Sequence, residues 1–170
     1  MKQFKTLFIA LALTFGATAF TNAQSSKVAH IAVQDLIEAM PSYQNAMDQL
    51  DKLQKTYDAE IKDMLTEAQG TMQRYQSEAD TKTEEENAKR ANELQATQQR
   101  IQEHSQKARQ DLQKKQVDLM KPIMEKARTA IQKVARAKGY DYVLDSTTGS
   151  GVILADGYDL MPDVKKELGI

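Results

Sequence analysis

The chain has 170 residues, 28% of them charged, with no Cys and no Trp and a formal net charge of −1. The missing thiols rule out a disulfide framework and a thiolate zinc site, and the near-balance of charge argues against a general nucleic-acid binder, which needs a strong basic footprint. All four Phe (Phe4, Phe8, Phe15, Phe20) lie in the first twenty residues, so six Tyr carry the whole aromatic load of the rest, too little for an ordinary aromatic-filled globular core.

Residues 1–23 read as a secretory signal peptide. Lys2 and Lys5 start it, an apolar run from Leu7 to Phe20 follows, and Thr21-Asn22-Ala23 offers a small-residue cleavage site. The run is too short for a membrane span. Removing Lys2 and Lys5 takes the net charge from −1 to −3. No Cys follows the cleavage site, so no lipoprotein anchor is offered. The expected destination is the periplasm, with secretion the other outcome of export.

Residues 27–33 alternate and are rich in Val and Ile, which predicts a strand. Residues 35–40 predict a short helix stopped at Pro41. From 42 to 138 there is one Gly (Gly70) and one Pro (Pro122), and Gln occurs fifteen times. Good helix formers fill the rest of that window, which predicts long helix.

Its first half carries an apolar stripe: Tyr43, Met47, Leu50, Leu53, Tyr57, Ile61, Met64, Ala68, Met72, Tyr75, Ala79. Steps of three and four residues put these on one helix face. The second half has a thinner stripe, from Ala91 and Leu94 through Ile101, Ala108 and Leu112 to Val134, interrupted by Gln98 and Ser105. A turn is predicted near residues 80–83. Thr83 followed by Glu84, Glu85 and Glu86 reads as an N-cap with a capping-box Glu and acids in the first turn. The window is therefore an antiparallel helical hairpin, an arm over residues 42–122 with its tip near 80–83. Residues 43–80 are net −4 and residues 100–138 net +7. Antiparallel packing would set the acidic helix beside the basic one, favouring register more than stability, because surface pairs are individually weak.

Beyond Gly139, residues 140–145 predict a second strand and 147–151 a turn. Residues 152–155 predict a third strand, closing a β-hairpin. Pro162 opens a last short helix through Leu168, with Gly169 at its end. Residues 24–41 and 123–170 then form one small sheet, and the class is α+β: a β-rich head with a long inserted coiled-coil hairpin. Three short strands leave two open edges and a meagre core. The expected remedy is self-association of heads into a closed sheet or barrel. The residues assigned to it are Val28, Ile31, Val33, Tyr142, Val143, Leu144, Val152, Ile153 and Leu154.

No constellation for catalysis or metal binding emerges, and neither an enzyme nor a cofactor is expected. His30 sits in the first strand and His104 on a solvated helix face, neither with an evident partner. Gly149-Ser150-Gly151 is a turn without the following helix that a phosphate cradle needs. Asp156-Gly157-Tyr158-Asp159 lacks the alternating ligands of a calcium loop and reads as a turn with helix-capping carboxylates. Gly70 and Pro122 are the candidate flex points, and Pro122 should kink or interrupt its helix.

The head motifs resemble the Skp/OmpH family of periplasmic chaperones. Lys138-Gly139-Tyr140-Asp141-Tyr142-Val143-Leu144-Asp145, Gly157-Tyr158-Asp159-Leu160 with Pro162-Asp163-Val164, and Val28-Ala29-His30-Ile31-Ala32-Val33 with Met40-Pro41 carry the likeness. The resemblance implies a homotrimer with a β-barrel body and three helical arms around a cavity. It implies an ATP-independent holdase for unfolded outer-membrane β-barrel proteins. For such a role the apolar stripe and the +7 segment make Met47, Tyr57, Met64, Met72 and Tyr75 with Lys114, Lys115 and Lys121 the expected client contacts. The best-known members are strongly basic, whereas this chain after cleavage is net −3. Lys82, Lys89 and Arg90 only faintly echo the family's lipopolysaccharide site, and no contact with lipopolysaccharide or a membrane surface is assigned. The alternative is a structural or adaptor protein of the envelope whose arms dock one fixed folded partner.

Overall fold

The computed structural model describes residues 26–170, and the expected signal peptide lies outside them. Strand β1 (Val28–Ile31) is the centre of a three-stranded sheet, flanked by β2 (Tyr142–Asp145) and β3 (Tyr158–Asp159). Both flanking strands run parallel to β1, with Val28 opposite Tyr142 and His30 opposite Asp159. A parallel pair needs a crossover connection. Between β1 and β2 that crossover is the entire helical segment, so the two ends of the chain share one sheet and the hairpin projects from it.

Four helices complete the described residues. They are α1 (Val33–Glu38), α2 (Pro41–Glu78), α3 (Glu84–Ala137) and α4 (Met161–Leu168). The 38 residues of α2 and the 54 of α3 span about 57 and about 81 Å at 1.5 Å per residue. A short 3₁₀ turn, Ala79–Thr81, reverses the chain between them. Thr83 then caps α3: its hydroxyl accepts from the Glu86 N–H at 3.2 Å, and the Glu86 carboxylate accepts from the Thr83 N–H at 3.1 Å. At the other end of the chain, Gly169 closes α4 in the left-handed region at φ 74°, where a side chain would be strained.

Several local expectations give way to tertiary contacts. Val33 does not end the strand; it opens α1. Its N–H donates to Asp145 Oδ1 at 3.2 Å, and the next N–H, of Gln34, donates to Thr147 Oγ1 at 3.2 Å. The caps of α1 thus come from more than a hundred residues away. Pro41 lies just past the end of α1, as expected, and also begins α2, in the first turn where its missing N–H is not needed. Pro122 does not interrupt α3, which runs through it unbroken. Ile123 and Ala127, just beyond, are buried in the head and hold that stretch in place.

The expected antiparallel hairpin after β2 is also absent. Residues 152–155 form no strand, and the third strand is Tyr158–Asp159 instead. The Asp145 carboxylate gathers the Thr147 N–H and hydroxyl as well as Val33, and Ser150 Oγ donates to the Asp145 carbonyl at 2.6 Å. With β2 tied into this turn, the chain crosses to the far side of β1. There the Leu160 N–H donates to the His30 carbonyl at 2.9 Å.

The core sits at the base of the arms. Ile31, Leu36, Leu160 and Val164 are fully buried, and Ala127, Ala130, Ile131, Val134 and Ala135 of α3 pack with them. Along the arms, burial is thin. Beyond Ala46, no residue of α2 is buried, and α3 before Ile123 buries only Ile101 and Ala108.

Candidate functional site

Two kinds of surface stand out, the seam between α2 and α3 and the faces left open around it. The seam joins the two helices by polar locks as much as by apolar contact. Near its middle, Tyr57 donates to Asp111 Oδ2 at 2.9 Å, and His104 Nε2 lies 2.9 Å from Glu60 Oε2. The Tyr57 and His104 rings meet edge to face. Near the tip, Tyr75 donates to Glu93 at 2.8 Å, and Arg90 donates to Glu78 at 2.6 Å while covering the Tyr75 ring. Asn87 Nδ2 adds a bond to the Ala79 carbonyl at 2.9 Å.

This arrangement revises two expectations. His104 is not merely solvated but bridges to the opposite helix. The acidic and basic helices do not pair charge for charge. Among the described residues Arg90–Glu78 is the salt bridge and His104–Glu60 the hydrogen-bonded contact that cross the seam, while Lys55–Asp51 and Lys107–Asp111 stay within one helix.

The Lys107 ammonium, with the Tyr57 hydroxyl, holds the Asp111 carboxyl below the usual carboxylate range. A lowered folded value means that the contribution is present above the unfolded value of about 4 and is lost as pH falls through the folded one. Thermal melts of the wild type should therefore lose stability below about pH 4, and Asp111→Asn should flatten that limb while lowering the midpoint at neutral pH. Circular dichroism melts between acid and neutral pH check it.

The residues expected to contact clients divide. Met47, Tyr57, Met64 and Tyr75 are half-buried in or beside the seam, where they hold the arm together. Met72 is exposed; Thr71 takes the inward place instead. Lys114 and Lys121 are exposed and Lys115 is half-buried. Two residues that the sequence reading passed over join them. Val117 and Met124 are 59% and 55% exposed. Lys114, Val117, Lys121 and Met124 follow at steps of three, four and three, one exposed face of α3 on which cations alternate with apolar groups. The spacing was visible in the sequence, but apolar positions there were sought only as core.

The head leaves a second open face. Alternation along the strands turns Ala29 and Ile31 inward, with Val143 half-buried, and leaves Val28, Tyr142 and Leu144 exposed. His30 is fastened beside them, Nδ1 to Ser146 Oγ and Nε2 to the Gly157 carbonyl, both at 3.2 Å. The ring ties down both ends of the 146–157 loop. That loop presents Ile153 and Leu154 at 100% and 76% exposure, with Val152 half-buried. Of the nine residues assigned to association, Ile31, Val33 and Val143 contribute to the chain's own core; the other six have apolar surface to spare.

Among the described residues no group of His, Asp or Glu is arranged to hold a metal ion, and no helix is long and apolar enough to cross a membrane.

Residues 27–168 match the family described as outer membrane protein (OmpH-like). The chain is 26% identical over 158 residues to the chaperone protein Skp of Pectobacterium atrosepticum, across 93% of this chain and 94% of that one. It is 27% identical over 138 residues to the Skp chaperone of Photorhabdus laumondii, across 81% of each. Among solved structures, an OmpH-like protein from Caulobacter crescentus shares the fold with a TM-score of 0.76 at 17% identity, covering 84% of this chain and 83% of that one.

Proposed function

The chain belongs to the OmpH-like outer membrane protein family, and we propose that it is a periplasmic holdase that keeps unfolded outer-membrane proteins from aggregating. It acts without ATP, as a homotrimer whose heads associate and whose arms surround the client. The observation that carries this reading is the exposed face of α3 bearing Lys114, Val117, Lys121 and Met124. An apolar side chain left in water on a helix of this charge offers a grip to exposed apolar segments, and the lysines add a charge-dependent component.

The energetics suit such a role. Unfolded chains aggregate through exposed apolar surface and unpaired strand edges. A protein that binds the unfolded state holds it by mass action and needs no fuel. Several arms, each gripping weakly, add through effective concentration. Two free sheet edges, the open face with Val28, Tyr142 and Leu144, and the projecting Ile153 and Leu154 support association of the heads.

Light scattering from a urea-diluted outer-membrane β-barrel protein tests the reading. The wild type should suppress aggregation at near-stoichiometric amounts. Reversing Lys114, Lys115 and Lys121 to Glu should weaken capture by about tenfold at low salt and less at high salt, where screening already shortens the reach of charge. No suppression by the wild type, alongside tight binding to a single folded envelope protein, would overturn the holdase in favour of an adaptor.

A further inference from the structure

With no Cys, the chain carries its sulfur in Met alone. Of the seven Met in the described residues, only Met124 and Met72 are exposed, at 55% and 42%. Met40 is buried in the head, and Met120, one turn before Met124 on α3, packs half-buried against the same core. The two exposed sulfurs differ in their surroundings. On a helix, the residues three and four positions away are the neighbours of a side chain. Around Met72 these are Ala68, Gln69, Tyr75 and Gln76, all uncharged. Around Met124 they are Met120, Lys121, Ala127 and Arg128, with a cation on either side. Lys121 and Arg128 are both exposed, and neither pairs with an acid among the described residues.

An exposed thioether is open to oxidants, and oxidation turns an apolar side chain into a polar one. With hydrogen peroxide, a sulfur lone pair attacks one oxygen, the O–O bond breaks, and the other oxygen leaves as water. The sulfur gives up two electrons and the peroxide takes them. The oxygen now on sulfur is a strong acceptor, and the Lys121 ammonium and Arg128 guanidinium stand one turn away on long stems. A hydrogen bond from a charged donor is the stronger kind. Oxidation at Met124 thus removes an apolar group from the face it shares with Lys114, Val117 and Lys121, and engages a cation of that same face.

We propose that Met124 is a reversible oxidation site whose sulfoxide releases the grip of this α3 face on an apolar client. The inference rests on the holding role given to that face above. The oxidant is a peroxide. Methionine sulfoxide reductases reverse the step: a dithiol supplies two electrons and two protons, and the oxygen leaves as water.

The test combines peptide mass mapping with the light-scattering assay. Brief treatment with hydrogen peroxide should oxidise Met124 several-fold faster than Met120, and ahead of Met72. Capture by the treated chain should weaken about tenfold, the scale of one Met side chain no longer buried against the client. Methionine sulfoxide reductases with dithiothreitol should restore it. Each variant is read as its own ratio of treated to untreated capture. Met124→Leu, similar in volume and not oxidisable, should change less than twofold on treatment, and Met72→Leu should still fall about tenfold. Equal oxidation of Met124 and Met120, or a Met124→Leu chain as sensitive as the wild type, overturns the switch. A wild type that holds nothing before treatment overturns the holding role and the switch with it, whereas full holding that peroxide leaves intact overturns the switch alone.

Discussion

Ile153→Asp with Leu154→Asp should disperse the proposed oligomer into single subunits at micromolar concentration, and the proposed holding activity should go with it. Both side chains are almost wholly exposed, so the change removes little from the fold of one chain. In an association of heads they would be covered, each contributing about 1.5–3 kcal/mol. A buried, unpaired carboxylate adds a further penalty. A loss of several kcal/mol per contact is more than about a hundredfold in affinity. Sedimentation equilibrium reads the subunit number, and far-UV circular dichroism confirms that each chain stays helical. Unchanged assembly would show that this loop is not part of the interface.

Leu160→Ala should have the largest effect on stability, about 2–5 kcal/mol. Leu160 is fully buried between β3 and α4, in a cluster that also contains Ile31, Leu36 and Val164. A total stability of about 5–15 kcal/mol resting on so few large side chains has little to spare. The same deletion at Leu94, half-buried in the loosely packed part of the seam, should cost less than half as much, because the atoms it removes are already partly in water. Urea titrations of the two variants give the comparison. Equal midpoints would mean that the arms contribute as much as the head to holding the chain folded.

Where a signal lies within a few residues, it was legible. The steps of three and four from Tyr43 to Ala79 announced a long helix. Thr83 with Glu86 placed the start of α3, and Pro162 with Gly169 bracketed α4. The register of the seam was harder to read. Met72 fits the apolar stripe on paper, yet Thr71 faces inward there, because the half-buried positions 57, 61, 64, 68, 71 and 75 keep the alternating steps of four and three of two paired helices even where the residue is polar. The exposed pair Val117 and Met124 was missed because an apolar residue at helical spacing has two readings, core or contact surface, and burial alone separates them.

Periodicity, caps and breakers act between residues at most a few positions apart, so the amino-acid order alone determined the two long helices, their tip, the closing helix and the poverty of aromatic core. What a segment does when its partner is remote depends on the folded whole. Asp145 and Thr147 cap α1 and pull Val33 out of the strand, β1 draws Tyr158–Asp159 to its free side and leaves Val152, Ile153 and Leu154 unpaired, and Ile123 and Ala127 anchor the helix that Pro122 would otherwise break. These contacts join residues up to 130 positions apart, and local propensities of about a kcal/mol, or about 3 kcal/mol for the proline, yield to them.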